Sequence, residues 1–202
     1  MNEDTKWNYY NLFQLFPNIK IIDTVVFDYH GSFNLPEIVK NNPQIKGLIG
    51  NFDFKNNVYD FANIEMFASD IIINNFDYKK VFRPDQLKQV HGLYIDMSDL
   101  PSFIKYFPNL KRLHLELCAA DGVFYNGPNL SALKILELGT SDFIEKEFTG
   151  FHFMDFCTSL ESAFIRTYFW AKDIYVNESI KNYNLRDLVI DNVSQSSSDK
   201  CF

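Results

Sequence analysis

The residues of this chain that could do chemistry are few and scattered. The four histidines, His30, His91, His114 and His152, fall in no metal-type spacing such as His-Glu-x-x-His. The three cysteines, Cys118, Cys157 and Cys201, are odd in number and make no Cys-x-x-Cys pair, so they read as reduced thiols and not as a disulfide framework. Cys118 and Cys157 suit semi-buried positions, where a thiol behaves as a small hydrophobe, and Cys201 lies in the tail. There is no Gly-rich phosphate loop and no nucleophile elbow. Glu145 and Glu147, in Phe143-Ile144-Glu145-Lys146-Glu147, read as a charged connector. His114 stands two residues before Glu116, so on a strand both would share a face and could share a proton. Without a nucleophile or a pocket, that pair reads as exposed polar surface. The expectation is a non-catalytic protein with no cofactor, no metal and no catalytic residue.

Composition narrows the remaining classes. Of 202 residues, 47% are hydrophobic and 17% aromatic, enough for a folded core and against disorder. The 26 acidic residues against 19 basic leave a formal charge of −7, which argues against nucleic acid as the partner. The start, Met1-Asn2-Glu3-Asp4-Thr5-Lys6, is acidic and polar, unlike a secretory leader, and apolar runs such as Ile71-Ile72-Ile73 are far too short to span a bilayer. These features predict a cytoplasmic or nuclear protein with no membrane partner.

What must position any working side chain is a repeated unit. Leu35-Pro36-Glu37-Ile38-Val39-Lys40-Asn41-Asn42-Pro43-Gln44-Ile45-Lys46 aligns with Leu100-Pro101-Ser102-Phe103-Ile104-Lys105-Tyr106-Phe107-Pro108-Asn109-Leu110-Lys111. Segments from Leu12 and from Phe153 fit the same frame, the latter without the Pro. An alternating run follows each segment, the period of a half-buried strand. The sharpest is Leu110-Lys111-Arg112-Leu113-His114-Leu115-Glu116-Leu117-Cys118. Weaker copies begin at Ile45, Ile64, Val90, Leu133, Leu160 and Leu185, and the first copy can be anchored at Ile19 or Ile22. Pro36 and Pro101 suit a first helical turn, whereas Pro43 and Pro108 stop the helix before the next strand. An ordinary α/β domain with alternating strands and helices is the competing reading.

The run from Leu110 to Cys118 resembles the leucine-rich-repeat pattern L-x-x-L-x-L-x-x-[N/C], with Cys118 in the ninth place. The resemblance implies an α/β solenoid, with parallel strands on a concave face and helices or turns on the convex face. About eight repeats would cover residues 12–193, with residues 1–11 as an N-terminal cover and 194–202 as a flexible tail. Trp7-Asn8-Tyr9-Tyr10, Phe151-His152-Phe153 and Tyr168-Phe169-Trp170 would plug the ends or fill space beneath convex loops. Phe107-Pro108-Asn109-Leu110 together with Cys118 is similar to the cysteine-containing repeats of F-box proteins, with Phe in the place of a Cys. That resemblance implies a substrate receptor of a cullin–RING ubiquitin ligase. Most copies lack the ninth-position Cys or Asn, and no F-box is found in the sequence, so the adaptor-binding part would lie elsewhere.

In such a frame the strand positions between the buried leucines face outward. The fifth position reads Ile49, Ala68, Tyr94, His114, Glu137, Phe164 and Val189; the seventh reads Asn51, Asp70, Asp96, Glu116, Gly139, Arg166 and Asp191. Four of those last seven are acidic, more than 26 acidic residues in 202 would place there by chance. An acidic column beside Tyr94 and Phe164 suggests a concave surface for a protein partner with a basic segment; the alternative is ordinary solvated surface. The expected role is a protein–protein interaction module. A free-standing scaffold or inhibitor unrelated to ubiquitin is the alternative to the F-box-type receptor.

Overall fold

The computed structural model describes residues 13, 15–23, 35–50, 61–72, 77–118, 122–140, 147–167, 173–174 and 184–192. The predicted cover at 1–11, the tail at 194–202, the Trp7 and Tyr168–Trp170 clusters, and His30, Asn51, Glu145 and Cys201 lie outside them. Eight strands form one parallel sheet whose spatial order follows the chain. They are β1 (Ile21–Asp23), β2 (Gly47–Ile49), β3 (Met66–Ile72), β4 (Gln89–Asp96), β5 (Arg112–Cys118), β6 (Ile135–Thr140), β8 (Ser162–Thr167) and β10 (Asp187–Asn192). Two short strands, β7 (Glu147–Phe148) and β9 (Asp173–Ile174), pair in parallel with each other. Between the strands run α1 (Leu35–Asn41), α2 (Tyr78–Val81), α3 (Leu100–Tyr106) and α4 (Gly150–Met154). Residues 122–134 connect β5 to β6 without a helix.

The alternating runs produce strands because one face is buried. In β5, Leu113, Leu115 and Leu117 are fully enclosed, while Arg112, His114 and Glu116 lie on the other face. Each such leucine contributes about 1.5–3 kcal/mol relative to exposure. The helices add their apolar sides to the same core: Leu35, Ile38 and Val39 from α1, and Leu100, Phe103 and Ile104 from α3. Pro101 sits in the first turn of α3, where its missing N–H costs nothing, and the helix ends on the Phe107 N–H donating to the Phe103 carbonyl. Phe107 is wholly buried, with its ring against those of Tyr78, Phe82, Phe103 and Tyr106.

A backbone pattern recurs from strand to strand. The carbonyls of Lys20, Lys46, Glu65, Lys88, Lys111, Lys134 and Glu161 each accept two hydrogen bonds, 2.7–3.3 Å, from successive amides entering the next strand. Three residues before each strand's leading apolar residue a tight turn closes: Ile19 donates to Phe16, Ile45 to Asn42, Ile64 to Phe61, Leu110 to Phe107, Leu133 to Leu130 and Leu160 to Cys157. Unlike neighbours at the rungs also pair, as in Lys88–Glu65 at 2.6 Å and Lys134–Glu161 at 3.0 Å.

Pairing settles the first anchor at Ile19, since Ile22 lies opposite Leu48. It also corrects the copy anchored at Val90. Val90 pairs with Leu113, the fourth residue of its own copy, so the leading apolar residue is Leu87, which is buried. The register then shifts between Val90 and Leu93, around Gly92 at φ 76°, inserting one residue into β4. That extra residue spaces Val90, Leu93 and Ile95 as L-x-x-L-x-L by coincidence, which produces the displaced reading.

Candidate binding face

The face of the sheet away from the helices carries every side chain singled out above that the structure describes. One row of strand positions runs Ala68, His91, then His114, Glu137, Phe164 and Val189. His91 and Gly92 together stand opposite His114, because the bulge places two residues against one. The next row holds Tyr94, Glu116 and Gly139, and Arg166 stands opposite Asp191. Tyr94, expected beside His114, therefore stands beside Glu116. Asp96, expected beside Glu116, stands opposite Cys118. Asp70 falls within a second register shift, between Ala68 and Ile71. The continuous acidic column is thus broken: only Glu116 and Asp191 keep the places expected for them in that row. Both departures have one physical cause, since a single extra strand residue displaces everything after it.

The remaining acids are matched by local partners. Glu137 is held by Arg112, whose Nε donates to its Oε1 at 2.9 Å and whose terminal nitrogen closes on the same oxygen. Asp191 takes Nε of Arg166 at 3.2 Å, and Asp187 accepts from the Ser162 hydroxyl at 2.9 Å. Glu116 reaches His114 Nε2 at 3.3 Å. The face carries alternating signs and not one sign.

At its centre lies an open depression of about 390 Å³ lined by Arg112, His114, Glu116, Glu137, Gly139, Phe164, Arg166, Val189 and Asp191, among others. Gly139 makes the room: a Cβ there would meet the Glu116 carboxylate, which lies across the strand. Phe164 and Val189 are 44% and 46% exposed, so two neighbouring apolar side chains stay solvated beside the charged pairs. Of the nine expected contact residues, His114, Glu116, Glu137, Phe164, Arg166 and Asp191 line this depression, whereas Tyr94, Asp96 and Asp70 do not.

Sequence reasoning passed over His91. Its ring packs against that of His114 with centroids 4.1 Å apart, and its Nδ1 is 3.0 Å from Nδ1 of His114. With the copy anchored at Leu87, the fifth position reads His91, His114 and Glu137 on three successive strands. Arg112, the third residue of its copy, was likewise missed. Elsewhere, burial pushes the Cys157 thiol and the Tyr125 hydroxyl far above their ordinary ranges, so both remain protonated. His152 stacks edge-on to Phe124 and Phe156, with ring centroids 5.1 and 5.3 Å away. Among the described residues, no helix is long and apolar enough to cross a membrane.

Comparison with protein-family models, with curated proteins and with solved structures finds no match for this chain.

Proposed function

We propose that the chain is a leucine-rich-repeat-type solenoid that binds a protein segment in the depression on its open sheet face. The strand order following the chain, the recurring carbonyl rungs and the recurring turn support the repeat reading, because a unit that cannot close its own core is stabilised by stacking on the next. The observation that carries the binding role is the exposed Phe164–Val189 pair beside Arg112, Glu116, Arg166 and Asp191. Apolar side chains kept in water at the centre of a polar rim are the arrangement of an interface anchor. The mixed signs favour a partner segment with an apolar anchor flanked by charge of both kinds, in place of a purely basic one.

The test is selection of peptides on the intact chain from a displayed library. The expected result is a shared apolar-plus-charged motif whose binding falls at least tenfold in Phe164→Asp. A selection that yields nothing, or binders indifferent to Phe164→Asp, overturns the reading. The resemblance to F-box repeats makes cullin–RING ligase components the first partners to assay, and their failure to bind beside a stable peptide interaction assigns the free-standing scaffold.

A further inference from the structure

We propose that His91, His114 and Glu137 form a binding site for one divalent transition-metal ion, with zinc the best match to the donor set. One atom from each of three adjacent strands converges: Nδ1 of His91 and Nδ1 of His114 are 3.0 Å apart, and Oε2 of Glu137 is 3.8 Å from the first and 3.9 Å from the second. Donors at the zinc–nitrogen and zinc–oxygen distances of about 2.0–2.2 Å on a tetrahedron are separated by roughly 3.3–3.6 Å. The observed triangle brackets that spacing, so an ion seats with sub-ångström adjustments of side chains on the open face. All described groups that could supply a donor were compared for such convergence, and these three residues alone among them meet it.

The surroundings select the binding atoms. The His114 Nε2–H donates to Glu116 Oε1 at 3.3 Å, which leaves Nδ1 with its lone pair available. A carboxylate behind a ligating imidazole is the usual means of setting its tautomer and ring orientation. Arg112 grips Oε1 of Glu137 and leaves Oε2 turned toward the two rings. Counting Glu116, Glu137 and Arg112, the site carries one net negative charge while the histidines are neutral, and this favours a cation. The His91 side chain is 52% exposed, so the ion has a direct path from solvent. Water completes the coordination. Two imidazoles discriminate against magnesium and calcium, which take oxygen donors. The proposal does not depend on peptide binding, because its ligands and its readout are the metal's own.

The experiment is calorimetric titration of the full chain, stripped with chelator, with zinc chloride alone, and optical titration with cobalt(II). One zinc per chain at micromolar affinity or tighter is expected, with intense visible cobalt bands of a four-coordinate site. His91→Gln, His114→Gln and Glu137→Gln each weaken zinc by at least about tenfold, and Glu116→Gln, a positioning change, weakens it by about 10-fold. Half-exposed His91 makes the cleanest variant, and equal melting temperatures in chelator establish that it is folded. Zinc binding within twofold of the parent in His91→Gln/His114→Gln, magnesium binding as strong as zinc, or no zinc binding at millimolar concentration would each overturn the proposal.

Discussion

The carboxylate of Glu116 lies across Gly139, in the space that a side chain at position 139 would fill. The two residues are register partners on β5 and β6, and this gap lets Glu116 stay beside His114 Nε2. Gly139→Ala forces the carboxylate aside. Because the displaced group is the far end of a flexible side chain, and Ala gains roughly 0.5–1 kcal/mol over Gly in a strand, stability changes by less than about 1 kcal/mol. The orientation of His114 does change. Nitrogen NMR of the imidazole should report a shift in its tautomer balance, and an unchanged spectrum beside an unchanged melt would show that Glu116 does not orient the ring.

The aromatic packing behind the sheet makes a larger prediction. Phe107 is fully buried and meets four other rings, so Phe107→Ala removes a side chain the surroundings cannot replace. The expected loss is about 3–5 kcal/mol, at the scale of the whole stability of many domains. Denaturant titration checks it. A loss below about 1 kcal/mol would mean that this core is loosely packed.

Cys157 should be inert in the native protein. Its thiol is buried, donates toward the Phe153 carbonyl at 3.5 Å, and is pushed far above the ordinary thiol range by desolvation first and by Asp155 second. Since the thiolate is the nucleophile, iodoacetamide at pH 8 should leave Cys157 unmodified until the chain is unfolded. Mass spectrometry of the Cys157 peptide gives the readout, and rapid native labelling would contradict the packing described.

The Lys134–Glu161 rung should leave a small signature in acid. The hydrogen bond and charge of Lys134 lower the Glu161 carboxyl below its ordinary range in the folded state. A carboxyl depressed on folding stabilises above its unfolded pKa, and the gain disappears as pH falls through the folded value. Melting temperatures of the parent and of Glu161→Gln should therefore differ slightly at neutral pH and converge in acid. The pair is exposed, so the gap should be small and shrink with salt. A gap that widens in acid would reverse the assignment.

The difference between the readable and unreadable parts of the sheet is concentrated in β4. The β5 run from Leu110 has strict alternation, and its register, its buried leucines and its outward His114 and Glu116 were all legible. In β4 the inserted residue near Gly92 left an apolar spacing that satisfied the pattern three residues out of place. One error of that kind moved Tyr94 and Asp96 out of their expected rows and removed His91 from view. Arg166 and Asp191 were legible as outward residues, but their mutual pairing was not, because pairing depends on which strands become neighbours.

The sequence by itself determined the parallel α/β arrangement, the places where strands begin and the helices closed by proline, since these follow from local periodicity and backbone restriction. Only the tertiary structure decided that His91, His114 and Glu137 meet. They stand on three strands joined by long connections, and a bulge that costs one residue of register decides which side chains become neighbours. Local pattern specifies each strand; the distances between donors come from how the strands are laid side by side.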